Sequence, residues 1–231
     1  MTKLGAIMSR PVLVSFLVFG LTPTPTLAGD LSKYRNFQLG TDLLTVAGKT
    51  GMNPSDAKVI HRRPALIQEL QWYPQPLGPS SGSEPAKDVF FSFHNGELFQ
   101  IAINYDRHAT EGLTAEDLVE ALSATYGIAA KPTALARATQ GRYGDQEDLL
   151  AQWEDPQYRF DLIRSSYGPS FRLIGVLKRL EAPAQAAILQ AKRLDDQEAP
   201  ERDAARIASE VEAAKAALEK ARLVNKPNFR P

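Results

Sequence analysis

The side chains best suited to chemistry in this 231-residue chain are three histidines and two tryptophans. His61 is followed directly by Arg62 and Arg63 and, with Lys58, forms a compact basic patch. Such a patch suits the docking of an acidic partner, because complementary charge steers and orients an encounter. A solvated loop is the plainer alternative. His94 lies three residues before Glu97, and His108 two after Asp106, so a carboxylate–histidine site is conceivable. Against it, a histidine facing a glutamate across a tight turn is an ordinary cross-strand pair. No two histidines have metal-ligand spacing and cysteine is absent, so no metal centre is expected. The sequence carries no nucleophile elbow, phosphate loop or dinucleotide fingerprint, and no catalytic residue or cofactor is assigned. Trp72 and Trp153 each follow a glutamine. They could line a groove that stacks on sugar rings or a peptide. A recurring position argues instead for a recurring packing role between helix and sheet.

The elements that must position these residues centre on Asp88–Asp106, DVFFSFHNGELFQIAINYD. Asn95-Gly96 is the dipeptide preferred by a two-residue type I′ turn, and both flanks are rich in aromatic and β-branched residues. The reading is a hairpin with His94 opposite Glu97, Phe93 opposite Leu98 and Phe91 opposite Gln100. Val89, Phe91, Phe93, Leu98 and Ala102 then share one face, with Phe90, Phe99, Ile101, Ile103 and Tyr105 on the other. An antiparallel sheet with one wet face alternates apolar and polar residues, and this hairpin does not. It is expected at the centre of a sheet covered on both sides.

Around the hairpin the plan occurs twice. Thr41 is expected to cap a short helix through Leu43, Leu44, Val46 and Ala47, ended by Gly48 or Gly51. Pro64 follows the basic patch, Leu66–Tyr73 is a strand, and Tyr73–Lys87 is a loop rich in Pro, Gly and Ser. Thr114 with Asp117 marks a second helix start, its face formed by Leu118, Val119, Ala121 and Leu122, ended by Tyr126-Gly127. A polar loop through Gly141–Asp145 leads to Leu149–Trp153. Strands at Tyr158–Ile163 and Phe171–Leu177 flank a Ser165–Ser170 turn. The fold class is therefore α+β: two helix-plus-three-strand antiparallel repeats, about residues 37–106 and 111–180, within a domain of residues 29–180. Gly40-Thr41-Asp42-Leu43, Trp72, Phe93–Leu98, Gly112-Leu113-Thr114 and Trp153 together resemble the SmpA/OmlA-type outer-membrane lipoprotein domains and the β-lactamase inhibitor proteins. That resemblance implies a protein-binding module of the cell envelope, with no catalytic residues to carry over. The chain departs from the lipoproteins by lacking a lipidation cysteine.

Residues 1–28 read as a secretory signal peptide: Lys3 and Arg10, the apolar run Val12–Leu21, and a small-x-small site at Thr26-Leu27-Ala28. The run is shorter than the roughly 20 apolar residues a bilayer span needs. Basic and acidic residues number 27 each; removing Lys3 and Arg10 leaves 25 against 27, a formal charge of −2. That balance points away from nucleic acid and from an anionic membrane surface. The expected address is the periplasm, or the extracellular space, with no stable membrane insertion once the signal is cleaved. A cysteine-free exported chain must rely on apolar burial instead of disulfides.

From residue 181 to 224 the composition shifts to Ala, Glu, Lys, Arg and Asp, as in a helical arm with a flexible tail at 225–231. Leu180, Ala184, Ala187, Ala191 and Leu194 recur at 4-3-4-3 spacing, and Ala204, Ile207, Val211, Ala214, Leu218 and Ala221 at 3-4-3-4-3. Both stripes are seam-like but out of phase, so a break is expected near Asp195–Pro200. Ile207, Val211 and Leu218 are the large apolar residues of the second stripe. They mark an association element, for an envelope protein or for a second copy of the chain.

Overall fold

The computed structural model describes residues 29–74, 85–130, 138–140, 146–165, 170–228 and 230. The expected signal peptide lies outside the described residues. So do the Gly141–Asp145 loop, most of the Tyr73–Lys87 loop and the centre of the Ser165–Ser170 turn. In chain order the elements are β1 (Lys33–Tyr34), β2 (Phe37–Gln38), α1 (Leu43–Thr50), β3 (Lys58–His61), β4 (Ile67–Trp72), β5 (Ala86–His94) and β6 (Glu97–Tyr105). They continue as α2 (Ala115–Tyr126), β7 (Ala138–Gln140), β8 (Gln146–Glu154), β9 (Tyr158–Ser165), β10 (Phe171–Leu177) and α3 (Lys178–Asn225). Short 3₁₀ turns lie at Pro54–Asp56 and Lys226–Asn228. Two strands form a small ribbon, and the other eight form one antiparallel sheet in the order β3-β4-β5-β6-β10-β9-β8-β7. The protein is α+β.

The Asn95-Gly96 turn forms as its residues require, with φ of 51° and 84°. Asn95 also reaches sideways: its side-chain oxygen accepts from the Leu66 N–H at 3.0 Å, holding β4 beside the hairpin. His94 pairs with Glu97 and Phe93 with Leu98. Beyond that the expected register fails, because a bulge between Ser92 and Phe93 sets Ser92, not Phe91, opposite Gln100. Phe91 meets Ile101 and Val89 meets Ile103. One extra residue on β6 thus moves Ile101 and Ile103 onto the face of Val89 and Phe91, and sends Ala102 to the other. All four large residues join the main core.

On that face lie α1, α2 and the N-terminal ribbon, which contribute Val46, Ala47, Leu118, Tyr126, Phe37 and Leu39 to the same buried cluster. The cap of α1 is Asp42, one residue later than the Thr41 expected. Its carboxylate accepts from the Thr45 N–H at 2.8 Å, and these hydrogen bonds hold it below the usual carboxylate range. Thr41 turns instead to the Gln38 carbonyl. Thr114 and Asp117 form the full capping box at α2.

The second sheet face is covered by the start of α3. Ala184, Ala187 and Ala191 are buried there, and the helix runs against β10 and β6. Ile67, Phe99 and Val176 are buried outside the main cluster. Arg159 on β9 pairs with Glu181, and Arg63 beside β3 pairs with Glu198, so the helix crosses the strands from one half of the sheet to the other. The expected break near Pro200 does not occur: α3 is continuous from Lys178 to Asn225, with Pro183 and Pro200 inside it. A proline removes one backbone donor. At Pro200 that donor would have served the Asp196 carbonyl; Arg202 donates to the neighbouring Asp195 carbonyl at 2.9 Å. Two further expectations change. Each half of the sheet has four strands and not three, because Lys58–His61 and Ala138–Gln140 also pair. The helix begins three residues before 181, and its first third belongs to the domain it was expected to leave.

Candidate functional site

The two tryptophans occupy unlike places. Trp153 is 1% exposed, and its indole N–H donates to the Gly127 carbonyl at 3.0 Å and toward the Ser123 hydroxyl at 3.3 Å. It packs 6.1 Å from Tyr126, whose ring stacks on Phe160 at 4.5 Å. Neither face of that indole is open to a ligand. Trp72 is half-buried, 5.3 Å from Phe37 and 6.5 Å from Phe91. A groove lined by both tryptophans is not what the fold builds.

The basic patch faces the protein's own helix. Arg63 is ion-paired with Glu198, which favours its charged form further, and His61 Nδ1 lies 4.0 Å from Asp195. Arg62 is exposed. The patch therefore receives an acidic segment, supplied from 135 residues downstream in the same chain. The other histidines are peripheral. Glu97, opposite His94, is engaged by Arg179, and His108 sits 3.8 Å from Glu111 with both side chains in water.

A polar cluster that sequence reasoning missed is buried between four strands. Arg172 on β10 donates to Asn104 on β6 at 2.7 Å and to Glu147 on β8 at 2.9 Å, and Asn104 donates to Asp88 on β5. Asp88 and Glu147 are 7% and 6% exposed. These groups border a hollow of about 210 Å³. Each is satisfied by a neighbour, so the cluster ties strands together across the second face and leaves no unpartnered base or nucleophile of its own. A larger, mainly apolar hollow of about 620 Å³ lies between the start of α2 and β8, with Val119, Ala129, Leu149 and Arg164 among its walls. Among the described residues no three His, Asp or Glu side chains are grouped to hold a metal ion.

The third set of expected site residues stands apart from all of these. Ile207, Val211 and Leu218 are 54%, 49% and 72% exposed, and every described residue from Pro200 to Asn228 is exposed. The hydrogen bonds and ion pairs described for this length stay within α3 and the 3₁₀ turn that follows it. Salt bridges along it are internal, Arg206 with Asp203 and Glu210, and Arg222 with Glu219. Pairs of that kind stabilise an isolated helix by a few tenths of a kcal/mol each. Helicity here is thus supported by local pairing and by alanine, not by tertiary packing. No described helix is long and apolar enough to cross a membrane.

A scan against protein-family models found no match, and searches of curated proteins and of solved structures likewise returned none.

Proposed function

We propose that the chain is a non-catalytic binding or scaffolding protein of a bacterial cell envelope, exported to the periplasm and working through its helical arm. The observation that carries this reading is the arm's isolation. About 25 residues of ordered helix, roughly 37 Å at 1.5 Å per residue, leave the sheet with a row of large apolar side chains in water. A helix that spends apolar residues on no contact of its own is suited to a partner's surface.

The sheet domain is read as two copies of one unit, each a helix followed by an antiparallel meander. The symmetric strand order about the β6–β10 pair supports this, as does the Gln-Trp dipeptide in β4 and β8. The plan is similar to that of the SmpA/OmlA-type domains and β-lactamase inhibitor proteins, for which protein binding is the implied role. In this chain the partner is an envelope protein or a second copy, with the sheet domain as the rigid base that aims the arm.

Truncation after Ala199 tests the reading. The shortened protein should keep its near-ultraviolet circular dichroism and its melting temperature while losing association, measured by light scattering and by capture from a periplasmic extract. A truncated protein that melts far lower and stays the same monomer as the full chain overturns it. Fractionation of the producing cells checks the address: a chain beginning at Gly29 in the periplasmic fraction is expected, and an intact chain in the cytoplasm would refute export.

A further inference from the structure

We infer that the arm's partner is a second copy of this chain, joined in a parallel, in-register two-helix coil over Glu201–Asn225. The inference rests on the arm being the association surface and names what it takes. Three observations carry it.

The first is helical phase. Because α3 is unbroken, its two stripes can be compared directly at about 100° per residue. Val211 lies 20 residues beyond Ala191 and 27 beyond Ala184, and Leu218 lies 27 beyond Ala191. Taken over Ile207, Val211, Leu218 and the three buried alanines, the offsets run from about 140° to about 240° and centre on about 190°, so the exposed stripe lies on the side of the helix away from the sheet. A second arm can therefore lie along Ile207, Val211 and Leu218 without meeting the domain from which the first arm springs. The two sheet domains fall on opposite outer sides of the pair.

The second is charge. With Val211 and Leu218 at the a positions of a heptad and Ile207 at d, the residues flanking the seam are segregated by sign. Asp203 and Glu210 fall at g, followed by Ala217 and Val224, so that flank is acidic or neutral. Ala208, Lys215 and Arg222 fall at e, so the other flank is basic or neutral. A parallel pair sets g of one helix beside the next e of the other, which brings Glu210 against Lys215 of the second copy, twice by symmetry. An antiparallel pair sets each flank beside its own kind and opposes like charges. Glu210 already accepts from Arg206 at 2.9 Å within its helix, so dimer formation shares that carboxylate between two cations.

The third is size. Alanines at 204, 214 and 221 are interspersed with the three large residues along the seam, letting two helices approach closely while Ile207, Val211 and Leu218 fill the spaces between them.

Sedimentation of the purified full chain at micromolar concentration should give the mass of two chains. Glu210→Lys and Lys215→Glu should each weaken the dimer by about tenfold or more, since each opposes like charges at two symmetric points. Mixing the two variants should restore it, because both crossed pairs are then attractive. The chain has no cysteine, so Leu218→Cys introduces a unique thiol. It should form a covalent dimer on mild oxidation, as a parallel, in-register pair brings residue 218 beside itself; an antiparallel pair does so only when centred there, and that arrangement fails the charge test. A monomeric full chain, charge variants that leave the dimer intact, or a Leu218→Cys protein that fails to cross-link would each overturn the inference. A monomeric full chain that still captures an envelope protein through an intact arm would overturn this dimer and leave the proposed function standing.

Discussion

Trp72 and Trp153 hold corresponding places in the two halves of the sheet, each after a glutamine on a strand that pairs with the next along the chain. Their surroundings differ. The first half seals its tryptophan with Phe37, which comes from the N-terminal ribbon outside the helix and meander, and leaves the indole half-buried. The second half seals its own with Tyr126 and Phe160 from within, and spends the indole N–H on the carbonyl that ends α2. The two halves thus share a strand order but not a packing solution, and the second tryptophan is the more tightly enclosed. Specificity of packing follows from which side chains meet the indole, not from strand order alone.

That contrast predicts unequal costs. Trp153→Ala should lower stability by about 3–5 kcal/mol, since it empties a buried aromatic site and strands the Gly127 carbonyl; Trp72→Ala should cost about half as much, part of that ring already being wet. Urea denaturation midpoints of the two variants measure this, and equal costs would erase the distinction. Gly175 offers a sharper probe of the second half. A Cβ there would stand 2.5 Å from Cε1 and Cζ of Phe160, so Gly175→Ala should cost about 1–3 kcal/mol by overpacking. Combining it with Phe160→Leu should recover part of the loss, whereas additive costs would show that the ring is not what the glycine accommodates.

Alkaline titration should separate the halves by another route. Burial pushes the hydroxyls of Tyr126, under Trp153, and of Tyr105, at the end of β6, well above their ordinary value of 10.0. The folded protein then holds protons that the unfolded chain releases, so stability is full below pH 10 and falls as pH rises above it. Tyr126→Phe and Tyr105→Phe should each reduce that alkaline loss, read as the pH at which tyrosinate absorbance and unfolding coincide. Ionisation without unfolding would contradict the burial described. The smallest effect is expected at Arg63 and Glu198. Both side chains are more than a third exposed, so a double-mutant cycle should return less than about 1 kcal/mol of coupling.

The hairpin was legible in sequence because Asn-Gly dictates a backbone conformation by itself, and the helix starts because their caps are local. The bulge was not. With Phe99 and Ile101 both apolar and both sheet faces covered, one extra residue leaves no mark on the alternation. Strand β3 was hidden by its composition: an edge strand can carry Lys58 and His61 where a central one cannot. The break expected at Pro200 rested on an average proline effect; α3 continues through it among strongly helical neighbours. The cluster of Asp88, Asn104, Glu147 and Arg172 gave no signal, because four strands supply one residue each and Arg172 meets Asn104 across 68 residues of chain. Ile207, Val211 and Leu218 stood out only as a periodicity. That they face water, and away from the domain, depends on the continuity of α3 that the sequence seemed to deny.

The outer strands of the sheet have a consequence for solubility. An open antiparallel sheet ends in rows of unpaired amide groups on which another chain can template a fibril. Here one border, β3, has four residues, begins with an exposed lysine and is disrupted by a register shift between Val59 and His61; the other, β7, has three residues. Among the described residues neither offers a long flat ladder for strand-by-strand growth. Backbone-driven aggregation is thereby disfavoured, and any assembly falls to side chains, whose pattern can choose its partner.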